Sequence, residues 1–222
     1  MADQNTPPRV TTAYTAMPTL YKVIQDGASC RGGNPSFQWP LPTQQADGSW
    51  EPGGWVEVDL PLRMCANGLH LTTDPVRWYA DGTQVYYAAY DGGCLADGNQ
   101  RCVQRARLLA PVDWSQLGLY LDGAHLVSRG SVRAFGSATV EATGAAVVSA
   151  GQHATVRAYG WATVVAYDDA MVQACEHATV ISTEYHHDSA VVRLAQRATH
   201  IDRRNGKLVL RTANAELEAA GG

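Results

Sequence analysis

The chain has 222 residues, 45% of them hydrophobic, 17% charged and 21 glycines, with a formal net charge of −4. This length suits one domain with an extension, or two small domains. Mixed charge of this kind argues against a nucleic-acid or membrane-surface partner.

Residues 1–18 hold Pro7, Pro8 and Pro18 and no apolar core, so they read as an arm without a signal peptide. No later run is long enough to span a bilayer, so the expected location is the cytoplasm or a phage-type particle. Residues 19–118 read as a small α+β head. Leu20–Ile24 suggests a first strand, and residues 34–54 a long loop carrying Phe37, Trp39 and Trp50. Trp55–Leu60 alternates like a half-buried strand, and Leu69–Leu71 forms another after the Asn67-Gly68 turn. Thr73 or Asp74 caps a predicted helix running through Pro75 to Tyr79. Gln84–Tyr90 and Arg101–Leu109 read as strands around a glycine-rich loop, Asp91–Gln100, and Asp113–Leu117 as one helical turn stopped by Gly118. The five cysteines follow no CxxC pattern; Cys94 and Cys102 flank one loop, a place for pairing or metal binding.

From Ser131 to Asp202 the chain repeats every eight residues. Alanine recurs at Ala138, Ala146, Ala154, Ala162, Ala170 and Ala178, with valine two places after each and a second small residue two places further. Positions i, i+2 and i+4 share one face of a strand, so each octad is a strand plus a three-residue corner. Fixed-period repetition of such units predicts a β-solenoid over residues 119–204. Two strands per coil, sixteen residues, is the favoured geometry; three strands per coil is the alternative. The next alanine after Ala178 is Ala190, so four residues are inserted between Thr183 and Ser189. Residues 205–222 supply a last strand around Lys207–Arg211 and a tail. A solenoid has two open ends. The head is expected to cap one; Arg203, Arg204, Lys207 and Arg211 blunt the other, or it is an oligomer contact.

In a two-strand coil, alternate corners stack on one edge. That edge gathers His153, Asp168, Asp169 and His186, a candidate site for a divalent cation. Tyr185, His186 and His187, on the inserted loop, are candidates for partner contact. Thr139, Thr155, Thr163 and Thr179 face outward, too sparsely for an ice-binding lattice.

Two resemblances belong to the head. Tyr21-Lys22-Val23, Cys30-Arg31-Gly32, Cys65-x-Asn67-Gly68-Leu69-His70 and Pro75-x-x-Trp78-Tyr79 together resemble an uncharacterised domain of phage and prophage proteins, often followed by short alanine-rich repeats. That resemblance implies no established activity, and the leading expectation is a non-enzymatic structural or interaction protein of phage or prophage type. Its solenoid would be a rigid spacer or docking surface, its partner a protein or a second copy in a homo-oligomer. Gly68 to Pro75, followed by Val85-Tyr86-Tyr87, is similar to the central segment of ADP-ribosyltransferase-like folds. This second likeness implies NAD as ligand, with Lys22, His70, Thr72 and Tyr79 around it. It departs from that family in having no glutamate between Glu57 and Glu141. The alternatives to the interaction protein are therefore an NAD-binding head and a metal-dependent binding module.

Overall fold

The computed structural model describes residues 19–30, 34, 36–183, 189–204 and 208–213. The chain forms two compact units, Met1–Val112 and Asp113–Gly222.

The first unit contains β1 (Leu20–Gln25), β2 (Ala28–Ser29), β3 (Thr43–Gln44), β4 (Trp50–Glu51), β5 (Val56–Glu57), β6 (Leu69–Thr72), β7 (Gln84–Asp97) and β8 (Gln100–Val112). β7 and β8 make a long antiparallel hairpin. β1 pairs with both β7 and β6, and β6 pairs with β8, so four strands close into a ring. Closure hides strand edges that would otherwise be open. Leu20, Ile24, Trp39, Leu69, Leu71, Tyr86, Val103, Ala106 and Leu108 form its core.

Three sequence expectations fail here. Among the described residues the head holds no α-helix, so it is not α+β. The segment expected to be helical is a single 3-10 turn, Pro75–Trp78. Proline opens that turn, and Tyr79 already has extended backbone at ψ 137°. One turn fixes several residues for few bonds, and nothing follows to propagate it. The loop expected at Asp91–Gln100 is strand almost to its tip. A register shift between Asp91 and Cys94 absorbs Gly92 and Gly93 as a bulge. The strand expected over Trp55–Leu60 pairs only at Val56 and Glu57.

The second unit opens with a 3-10 turn, Trp114–Leu117, ended by Gly118 at φ 73°. Then come β9 (Leu119–Tyr120), β10 (Ala124–Val127), β11 (Ser131–Ala134), β12 (Thr139–Ala142), β13 (Val147–Ala150), β14 (Thr155–Ala158), β15 (Thr163–Ala166), β16 (Met171–Ala174), β17 (Thr179–Ser182), β18 (Val191–Leu194), β19 (Thr199–Asp202) and β20 (Val209–Thr212). They form two sheets, β10-β12-β14-β16-β18 and β9-β11-β13-β15-β17-β19-β20. This is a β-solenoid with two strands per coil. Ser131 pairs with Val147 and Val147 with Thr163, a step of sixteen.

The inward residues are those of the octad. Ala138, Val140, Ala142, Ala146, Val148, Ala150 and their successors through Val180 are almost fully buried. Small side chains on both sheets set a narrow interior. The insertion leaves the ladder intact: Met171 pairs with Val191 and Thr179 with Thr199, each a step of twenty. On β19 the two inward positions turn polar. His200 bonds Ser182, and Asp202 receives two bonds of 2.7 Å from Arg204. β20 then runs antiparallel to β19 and ends the seven-stranded sheet.

Seven described corners turn on a left-handed residue at the middle position. Gly136, Gly144, Gln152, Gly160, Asp168, Glu176 and Gln196 have φ between 52° and 63°. At Gly136 only glycine fits, since a Cβ would lie 2.4 Å from the Leu121 carbonyl oxygen. Where the residue is not glycine, its side chain reaches back one coil. Gln152 accepts the Gly136 N–H at 2.7 Å, and Asp168 accepts the Gln152 N–H at 3.4 Å. Glu176 accepts the Gly160 N–H at 2.7 Å, and Gln196 accepts the Glu176 N–H at 2.9 Å. Each such bond satisfies a backbone donor that lies beyond the strand ladder.

Candidate functional site

The head residues singled out by sequence lie on β1, β6 and the turn after β6. β1 and β6 are adjacent, with Tyr21 opposite Thr72. Lys22 is buried; its ammonium donates to the His70 carbonyl at 3.0 Å and sits 5.1 Å from the centroid of the Trp39 ring. Burial depresses its pKa to about 8. The His70 imidazole Nε2 accepts the Cys65 N–H at 3.1 Å, so the neutral ring carries its proton on Nδ1. Burial first, and the Lys22 charge second, lower the His70 pKa. Thr72 is buried, and its hydroxyl oxygen accepts the Asp74 N–H at 3.0 Å. The Tyr79 hydroxyl donates to Asp81 at 2.9 Å; burial, then that bond, push its pKa up to about 12. Lys22 and His70 are thus brought together through a backbone carbonyl, while Tyr79 bonds elsewhere. All four side chains hold local structure.

Cys94 and Cys102 do not face each other. Cys94 lies across from Val103 and Cys102 from Leu95, which puts the two thiols on opposite faces of the hairpin. Cys102 is buried under the Arg63–Asn67 turn, and its thiol pKa is raised by burial.

On the solenoid edge, His153 and Asp169 are both exposed, with Nε2 and Oδ2 3.9 Å apart. Asp169 also accepts the Ser189 hydroxyl, and Asp168 is engaged by the Gln152 N–H. Tyr185, His186 and His187 lie outside the described residues. Among the described residues no three His, Cys, Asp or Glu side chains group to hold a metal ion.

Two features escaped the sequence reading. One is the difference between the outer faces. The five-stranded sheet shows Glu141, Arg157, Gln173 and Arg193 in one register row. From β15 on, the seven-stranded sheet shows two uncharged rows, Thr163-Thr179-Thr199-Thr212 and Val165-Ile181-Ile201-Leu210, the second of which runs back through Ser149 to Arg133. The signal was present in the octads, but only the coil geometry sorts them by face. The other is an aromatic stack at a corner, Trp161 on His177.

The chain matches no family model, no curated protein and no solved structure. Among the described residues no helix is long and apolar enough to cross a membrane.

Proposed function

We propose that the chain is a non-enzymatic interaction protein of phage or prophage type, with the solenoid as rigid spacer and docking surface. The observation that carries this reading is the uncharged outer face of β15, β17, β19 and β20. Its rows, β-branched except for Leu210, are half-buried or exposed, and the opposite face carries Glu141 and Arg157. An ordered, uncharged sheet face suits sheet-on-sheet or partner packing. The engagement of Lys22, His70, Thr72 and Tyr79 in local bonds also favours it over an enzymatic head.

The occupant is a protein or a second copy. Sedimentation over a range of concentrations tests the second copy. We expect association that Ile181→Lys weakens and Gln173→Lys, on the opposite face, leaves alone. A monomer at every concentration, or equal effects of both variants, would count against a homo-oligomer built on this face. Calorimetry with NAD tests the competing reading: heat that His70→Ala abolishes would make the head a ligand site.

A further inference from the structure

Ala145, Trp161 and His177 occupy the same corner position in three successive coils. The Trp161 N–H bonds the Gly144 carbonyl at 2.9 Å, and the His177 N–H bonds the Gly160 carbonyl at 3.1 Å. The indole lies flat on the His177 imidazole, with centroids 4.5 Å apart and planes 9° apart. Even so, Trp161 is 70% exposed. One face of the indole is packed and the other is open. The coil on the side away from His177 carries Ala145 at this position, whose side chain is only a methyl group. Coils are about 4.8 Å apart, so a six-membered ring can lie flat there.

A carboxylate is held at the backbone of the residue preceding Trp161. Glu176 reaches back to Gly160, the neighbour of Trp161, where its Oε2 accepts the backbone N–H at 2.7 Å. Its own N–H is held by Gln196 at 2.9 Å. Stacking fixes the indole and hydrogen bonding fixes the carboxylate, so neither must be ordered when a ligand arrives.

We propose that Trp161 and Glu176 form a binding site for a neutral pyranose, a property beyond the docking role above. The apolar C–H face of the sugar packs on the open indole face, and adjacent hydroxyls donate to the carboxylate. Nucleotides and other anions are disfavoured by Glu176. An ammonium ligand calls for aromatic walls on several sides, and here there is one.

The probes are neutral hexasaccharides of glucose, galactose and N-acetylglucosamine, added to the full chain at about 10 mM, where even a millimolar Kd registers. Indole N–H resonances are followed by NMR. The Trp161 signal is the one missing from Trp161→Ala. We expect it to shift saturably with at least one sugar and Glu176→Gln to weaken binding roughly tenfold. Both variants copy residues that other corners already carry, alanine at Ala145 and glutamine at Gln152 and Gln196, so the coil is preserved. No shift with any of the three sugars overturns the proposal. So does an equal response of the remaining indoles with and without Trp161, or a shift produced only by choline or ATP.

Discussion

The side-chain oxygen of Gln152 accepts the backbone N–H of Gly136 across 2.7 Å, joining two coils at a corner where the strand ladder stops. Gln152 is itself left-handed at φ 52°, which costs a non-glycine residue about 1–2 kcal/mol. The hydrogen bond offsets that strain. Gln152→Ala keeps the strain and loses the bond, and should cost about 1 kcal/mol. Gln152→Gly loses both and should lie within about 0.5 kcal/mol of the parent. Urea midpoints of the two variants check the ordering.

Ala158 faces inward, fully buried between the sheets. Ala158→Leu adds three carbons to an interior sized for alanine and valine. It should lower stability by about 1–3 kcal/mol or more. An unchanged melting temperature would be incompatible with the inward placement.

The last coil should carry an acid-sensitive clasp. The Arg204 hydrogen bonds hold the Asp202 pKa at about 2, below its usual 3.8. The native chain therefore binds fewer protons than the unfolded chain between those values. The stabilisation is complete above about pH 4 and is lost as pH falls toward 2. Asp202→Asn should cost about 2 kcal/mol at neutral pH. The variant and its parent should converge by pH 2 in a series of thermal melts.

Lys22 has the opposite kind of linkage. Its pKa falls from 10.5 to about 8 on burial. Between these values the unfolded chain holds the extra proton, so stability rises with pH across the window. Cys102 works against this near the top of the window and the tyrosines above about pH 10, since Cys102, Tyr79, Tyr86 and Tyr21 all have raised pKa values. Urea midpoints should therefore climb by the equivalent of about 2 kcal/mol from pH 8 to 10 and then fall. Lys22→Met should remove the climb and keep the fall.

The solenoid was legible because its information is local. Apolar residues at i, i+2 and i+4, repeated each eight, fix both the strand and its inward face, and the pairing step of sixteen follows. The corner bonds were hidden because Gln152, Glu176 and Gln196 look like ordinary polar turn residues. Their role depends on a backbone donor one coil away. The head was harder for a related reason. Its ring of β1, β6, β8 and β7 is closed by pairings such as Tyr21 with Thr72, far apart in sequence. The helical signature at Asp74-Pro75 was real as a start signal, but a 3-10 turn uses the same signal.

The reversal at β20 sets the length of the stack. Parallel coils of one register would accept another coil indefinitely, because each edge presents the same pattern to the next. An antiparallel strand on β19 breaks that sameness on one sheet, so the point of reversal acts as a ruler. Inserting sixteen residues ahead of β19 would move it outward by about 4.8 Å, one layer per insertion. The chain thus keeps its span adjustable in whole layers, with the same terminating strand at every length.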